Sequence, residues 1–392
     1  MKSKRVLVSG ASIAGPAAAY WLSRYGFEVT VVERAERLRE GGQAVDFRGA
    51  AHMTMLRKMG LLEEVERRRT DARPLIVLGS DGEEQLRLPA SFTGGEIEIA
   101  RGDLSQLLYD RTRDQAEYVF GDSIASLHQV HSGVEVTLDS GRTGAFDLVL
   151  GADGLHSNVR RLVWGAEEQF VKQSGYYVSL FATADRVGLG AQSVLYSEPR
   201  RGMLVYGTTE GQLNVMCVFA SDALDYHRHD IATQKELVAK AFAGMGWRAS
   251  GLMPGLADAD QFYFDAIGMV QMPEYVKARV ALLGDAGYGA TTGGMGAGMA
   301  MVAAYVLVGE LAEVDGHYRG AYAAYQTQIR GYAKACQRVA AGAGPFFAPA
   351  TAKKLKRRGT TYKLLTTGPM GRLLNRMTTS AANHIKLKDY TA

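Results

Sequence analysis

The chain has 392 residues, 47% of them hydrophobic and 22% charged, with a net charge of +4. That length exceeds the roughly 250–300 residues at which a single core stops growing, so at least two lobes are expected, and the composition is that of an ordinary globular protein. The weak charge argues against nucleic acid as a partner, and two cysteines, Cys217 and Cys336, offer neither a disulfide framework nor metal-ligand spacing.

Val6-Leu7-Val8 is a short apolar run that reads as a buried parallel strand. It leads into Gly10-Ala-Ser12-Ile13-Ala14-Gly15, where Gly10 can make the tight turn and Gly15 lets a following helix pack on the strand. That helix, about 15–25, carries Ala18, Ala19, Leu22 and Tyr25 at helical spacing, with Gly26 to end it. A second strand, Val29 to Val32, ends at Glu33 and Arg34, and an acid about 20 residues beyond the turn suits a ribose hydroxyl. The loop amides and the helix dipole would face a pyrophosphate. Ser12 stands where the second glycine of a GxGxxG fingerprint allows close approach, and the bland alternative is a strand-turn-helix with no ligand. Lys2, Lys4 and Arg5 before an apolar stretch imitate a signal peptide, but cleavage would remove the fingerprint, so none is expected.

Downstream, Ala50 to Arg69 is amphipathic, Pro74 to Leu78 and Glu96 to Ala100 read as strands, and 103–113 reads as a helix. A hairpin-like passage from 117 ends in the strand Asp147 to Leu150, followed by Gly151-Ala-Asp153-Gly154. Tyr177 to Thr183, Ser193 to Tyr196, Met203 to Tyr206 and Leu213 to Phe219 alternate partially, the profile of a mixed or antiparallel sheet forming a second lobe. The chain returns to the first lobe at Val280 to Leu283, just before Gly284-Asp285 and the run Gly293-Gly294-Met295-Gly296. Ala297 to Val308 is too short to span a bilayer and reads as a buried helix. Helices dominate thereafter, with a basic cluster at Lys353 to Arg358 that reads as a solvated face or a bridge over the second lobe.

The expected class is α/β, with the nucleotide lobe built discontinuously from 1–73, 100–165 and 271–330. A mixed or antiparallel sheet domain for substrate comes from 74–99 and 166–270, and a helical segment from 331–392. Leu204 and Tyr206 share one strand face, as do Asn214, Met216 and Val218; these offer an apolar wall with one amide, or simply a sheet core. Tyr206, Asn214, Met216 and Thr292 are the candidate substrate contacts. His227-Arg-His229 lacks a nearby third ligand and reads as a solvated loop, so no metal is expected.

Arg101-Gly-Asp-Leu104, Asp153-Gly154 and Gly284-Asp285, in this order, resemble the motifs of the class A single-component flavoprotein aromatic hydroxylases typified by p-hydroxybenzoate hydroxylase. The resemblance covers nearly the whole chain. Gly41-Gly-Gln-Ala-Val-Asp46-Phe-Arg48-Gly49 is similar to a loop of the tetracycline-inactivating and polyketide-tailoring monooxygenases. The resemblance implies a GR2-type Rossmann-like FAD-binding domain, FAD as cofactor, transient NADPH or NADH, and hydroxylation of an aromatic or polycyclic substrate with O2 through a C4a-hydroperoxyflavin. It also implies that Asp285 holds the ribityl chain or ribose and that Gly294, Met295 and Gly296 meet the pyrophosphate or the flavin N1 side. Arg101 would approach the ribityl or phosphate portion, Asp153 both FAD and nicotinamide, and Arg48 and Gly49 the isoalloxazine. Each has a plainer alternative: a type I′ turn at Asp153-Gly154, surface ion pairs for Arg48 and Arg101, a capped helix start at Gly284-Asp285. After Gly-Asp-Ala the family often has a histidine and two prolines, whereas here Gly287-Tyr288-Gly-Ala-Thr291-Thr292 follows, which predicts a looser loop. No conventional catalytic acid or base is singled out. A cytoplasmic monomer or dimer is expected, and the alternatives in function are a flavin-dependent reductase or dehydrogenase, or a non-catalytic flavin-binding protein.

Overall fold

The computed structural model describes residues 4–39, 43–208, 211–292, 295–366 and 379–390. Its first sheet has six strands in the order Val276–Lys277, Val280–Leu282, Leu148–Gly151, Arg5–Ser9, Glu28–Glu33, Glu117–Phe120. All pair in parallel except the two-residue edge strand. The central strands are covered on both faces, which is why they read as unbroken apolar runs: Val6, Val8, Leu148, Leu150 and Leu282 are at most 1% exposed. One face packs helices Ala14–Arg24 and Gly296–Glu313, whose Trp21 and Tyr305 rings meet edge-on at 4.9 Å. The other packs helix Asn158–Trp164 and a three-stranded antiparallel sheet, Ile124–Gln129, Val134–Leu138 and Thr143–Phe146.

The second lobe is a seven-stranded sheet ordered Phe262–Val270, Val171–Ala184, Gln212–Ala220, Arg201–Gly207, Ser193–Glu198, Leu75–Leu78, Glu84–Leu88. It is antiparallel except where Ser193–Glu198 runs parallel to Leu75–Leu78, so the expected mixed architecture is present. The strand Ile97–Ala100, grouped with this lobe in the sequence analysis, pairs instead with Ala44–Phe47 in a separate two-stranded ribbon. Residue 330, expected to part the nucleotide lobe from a C-terminal helical segment, lies inside the continuous helix Tyr318–Ala340. Helices Ala343–Phe347 and Ala352–Thr366 follow, and of the latter's basic cluster Lys353, Lys354, Lys356 and Arg357 are exposed while Arg358 is buried.

Helix Gly296–Glu313 corrects the length read from sequence. It has 18 residues and is apolar enough to cross a membrane by length and composition, but 83% of that stretch is buried inside the lobe. Each fully buried Leu or Val there contributes roughly 1.5–3 kcal/mol, so the lobe's core holds it strongly. Beyond the helices, the segment 379–390 returns to the first lobe. Asn383 accepts from the Ala50 amide at 2.8 Å, Tyr390 donates its hydroxyl to Glu310 at 2.7 Å, and Lys58 reaches Asp389 at 2.6 Å.

Candidate functional site

The turn after the first strand forces glycine twice. Gly10 has φ +105° and a Cβ there would lie 2.5 Å from the Ala152 carbonyl oxygen, while a Cβ on Gly15 would lie 1.8 Å from that of Gly10. Ile13 and Ala14, both buried, open a helix with no side-chain cap and no acid in its first turn, so its leading amides are free to meet an anion. Ser12 has found a use where glycine was expected: its hydroxyl accepts from Arg101 Nη2 at 3.1 Å, and its carbonyl accepts from Ser105 at 3.1 Å. Glu33 accepts the Ala11 and Ala35 amides at 2.8 and 2.9 Å, placing the acid beside the turn, and Arg34 is exposed next to it.

At the opposite end, Gly284 closes the strand Val280–Leu282 and Asp285 begins a short helix. Among the described residues no group donates a hydrogen bond to the Asp285 carboxylate. Burial pushes its pKa up, and the Arg101 guanidinium opposes that. Met295 is the buried residue preceding helix Gly296–Glu313, which again has neither a side-chain cap nor an acid in its first turn, and Gly296 is exposed. Gly293 and Gly294 lie outside the described residues. A carboxylate without donors, a guanidinium and two uncapped helix starts therefore converge. That donor set fits FAD, whose pyrophosphate needs amides and cations and whose ribityl hydroxyls need an acceptor.

Two residues take more internal places than the resemblance implies. Asp153 is half-buried with its oxygens engaged by Ser157 Oγ at 2.5 Å and the Val159 amide at 3.0 Å, so it organises the start of helix Asn158–Trp164. Arg48 is buried in an ion pair with Asp46 and donates to the Phe92 carbonyl at 3.2 Å. The Gly49 amide is occupied by Glu96 at 2.7 Å. Burial raises the Asp46 carboxyl to about 6, with Arg48 pulling the other way. The plain ion-pair alternative for Arg48 thus describes its contacts, except that the pair is internal and not on the surface.

The seven-stranded sheet has two unlike faces. Phe181, Val205, Leu213, Val215, Cys217 and Phe219 are closed off under helices Ile231–Phe242, Ala249–Leu252 and Pro254–Asp258. On the other face Leu180, Ala182, Leu204, Tyr206 and Asn214 are only half-buried, with Met216 among them at 9% exposed. Register puts Tyr206 opposite Asn214 and Met216 between Leu180 and Leu204, so three of the candidate substrate contacts share one wall. Burial, aided by Glu98, raises the Tyr206 hydroxyl to about 12. Thr292 Oγ1 is buried with no partner among the described residues. The loop before it, expected to be loose without prolines, is tied to the sheet: the Thr291 hydroxyl accepts from the Gly268 amide at 3.0 Å and donates to the Ala266 carbonyl at 3.1 Å, and the Gly289 carbonyl accepts from Val270 at 2.9 Å.

Sequence reasoning missed the strand Phe262–Val270 and the polar group it carries. Tyr263, 43% exposed, sits on the open face beside Leu180 and donates to Asp265 at 3.2 Å. Asp265 Oδ2 is also 2.8 Å from His156 Nε2, and His156 Nδ1 is 2.9 Å from Glu167. Burial lowers the His156 pKa, but the bonds to Asp265 and Glu167 outweigh it and hold the imidazole above its usual value. Arg160, fully buried, joins this cluster through Glu167 at 3.3 Å and donates to the Ala286 carbonyl at 2.9 Å, linking the Asp153 turn to the Asp285 helix. The alternating aromatic run Phe262-Tyr-Phe-Asp was the available signal.

Comparison with known proteins agrees with this geometry. A family model described as an FAD binding domain matches residues 3–343. The uncharacterized protein Rv1260 of Mycobacterium tuberculosis H37Rv is 38% identical over 362 residues, covering 90% of this chain and 97% of that protein. A flavin-dependent monooxygenase of Legionella longbeachae is 33% identical over 344 residues, covering 86% of this chain and 88% of that protein. The crystal structure of the tetracycline destructase Tet(55) superposes with a TM-score of 0.85 at 31% identity, covering 99% of both chains.

Proposed function

This chain belongs to the FAD-binding-domain family and is a flavin-dependent monooxygenase, and from that premise we propose that it uses NADH or NADPH and molecular oxygen to hydroxylate a flat aromatic or polycyclic, polyketide-like molecule, tetracyclines being the first candidates. FAD, when bound, supplies the redox chemistry by accepting electrons from the nicotinamide and delivering one oxygen atom of O2. The chain's own part is holding and screening. The Ile13 to Gly15 amides and Arg101 hold the pyrophosphate, Glu33 a ribose hydroxyl, and Asp285 the ribityl hydroxyls. The amides at Met295 and Gly296 face the flavin end, and the sheet face orients the substrate and displaces water.

The observation that carries this reading is the asymmetry of the seven-stranded sheet: a continuous apolar wall, Leu180, Leu204, Tyr206 and Met216, is left half-open on one side while its reverse is sealed by helices. Phe347 and Ala348, at the end of helix Ala343–Phe347, cover part of this wall beside Leu180, Leu204 and Met216, and the stretch left half-open is suited to a planar ring system. A polycyclic substrate draws support from the similarity to a tetracycline destructase. Cys217 and Cys336, both free and buried, fit a cytoplasmic enzyme. The test is NADPH oxidation and oxygen uptake by the yellow purified protein, with tetracyclines, anthracyclines and simple phenols added singly and products weighed for one added oxygen atom. Stimulated uptake with an oxygenated product is expected; reductant consumption without any oxygen uptake would identify a reductase or dehydrogenase instead.

A further inference from the structure

We propose that Tyr263 selects the substrate by accepting a hydrogen bond from a phenolic or enolic hydroxyl. The inference rests on the monooxygenase reading and narrows its substrate class. A tyrosine hydroxyl has one proton to give and lone pairs to receive. The Tyr263 proton is committed to Asp265 Oδ2, 3.2 Å away. Asp265 is itself held fast, since the same oxygen faces His156 Nε2 at 2.8 Å and Oδ1 accepts the Ala266 amide at 2.8 Å. His156 is fixed from its other nitrogen by Glu167, which also binds Arg160 and Arg228. With its donor used internally, the exposed side of Tyr263 offers only an acceptor.

Position makes that acceptor matter. Tyr263 is on the open face, in register with Leu180 and hence in line with Met216 and Leu204, while its neighbours Phe262 and Phe264 turn to the sealed side. Its strand is tied to the loop that follows Asp285, Gly268 donating to the Thr291 hydroxyl at 3.0 Å and Val270 to the Gly289 carbonyl at 2.9 Å, so Tyr263 belongs to the strand where the sheet and the cofactor cradle meet. A ring laid on the wall would direct a hydroxyl at Tyr263. Tyr206, by contrast, has no hydrogen-bond partner for its hydroxyl among the described residues, and so could serve a donor or an acceptor without discriminating. Asp265 and His156 are positioning residues in this scheme; of the three, Tyr263 alone touches substrate.

The experiment is equilibrium dialysis of the purified holoenzyme against 2-naphthol and its methyl ether, which share the ring and differ in the donor. One hydrogen bond predicts roughly a three- to tenfold preference for the naphthol in the wild type. Tyr263→Phe should bring the two probes within about twofold by weakening the naphthol alone, with FAD content and thermal midpoint confirming an intact fold. Asp265→Ala frees the phenol proton, so the ether should gain affinity, a change that general loosening would not produce. Equal binding of both probes by the wild type, binding of neither, or a preference retained in Tyr263→Phe overturns the proposal. Loss of NADPH-driven oxygen uptake by the wild type would instead overturn the monooxygenase reading, and the dialysis result would stand apart from it.

Discussion

Replacing Gly298 by alanine sets two effects of known sign against each other. Gly298 lies within helix Gly296–Glu313, where an alanine ordinarily gains about 1 kcal/mol. Here, however, the new Cβ would stand 2.2 Å from His52 Nδ1 and 2.4 Å from two further ring atoms, against an ordinary contact of about 3.5 Å. The ring has little freedom to retreat. It is fully buried, its Nδ1 accepts the Arg48 amide at 3.1 Å, and its Nε2 therefore carries the proton and lies 2.6 Å from the Tyr332 hydroxyl. A shift of about 1 Å costs roughly 1–3 kcal/mol in overpacking and about 0.5–1.5 kcal/mol for each hydrogen bond lost, so the net expectation is a loss of about 1–5 kcal/mol. Urea unfolding of wild type and Gly298→Ala, followed by tryptophan fluorescence, measures it. The double-mutant cycle with His52→Ala sharpens the result, because once the ring is gone the alanine should cost nothing or stabilise. A Gly298→Ala protein as stable as the wild type, or more so, would refute the packing argument outright.

Three further outcomes follow from the site. Asp285→Asn should lower FAD affinity about 10- to 100-fold, the loss of a charge-assisted hydrogen bond, while raising the melting temperature of the apoprotein by removing a desolvated carboxylate that has no hydrogen-bond donor among the described residues; fluorescence titration and calorimetry read the two separately. The folded-state pKa of His156 is raised, so its contribution to stability is complete below the unfolded value near 6.5 and disappears as pH climbs through the folded value. Urea midpoints should accordingly fall on the alkaline side, and His156→Gln should flatten the curve in that window. Ser12→Gly restores the usual fingerprint and removes a bond to the exposed Arg101 and a long 3.5 Å contact with the Ser105 hydroxyl, so FAD affinity measured by titration should change by no more than about threefold.

The parts legible in the sequence are those where backbone geometry dictates residue type. Gly10 and Gly15 are demanded by contacts of 2.5 and 1.8 Å, and the buried parallel strands announce themselves as apolar runs because both faces are covered. The carboxylate at Asp285 was legible through its company of motifs, and the half-open wall through alternation at Leu204, Tyr206, Asn214 and Met216. What was illegible depends on distant pairing. Asp265 meets His156 across 109 positions, and His52 meets Tyr332 across 280, so nothing local marks either as special. Asp153 and Arg48 show the converse: their motifs stand out, yet the contacts described here are with the chain itself.

The segment 379–390 carries a consequence for how the protein comes into being. Because Asn383, Asp389 and Tyr390 lock onto the lobe that begins with the strand Arg5–Ser9, that lobe cannot be fastened until some 385 residues have left the ribosome, on the order of 20–80 s at ordinary elongation rates. The helix Gly296–Glu313, once made, must then wait partly uncovered while the stretch from there to Tyr390 is synthesised, about 4–15 s at the same rates, a window in which chaperones and low temperature during expression should govern the yield of protein able to take up its cofactor.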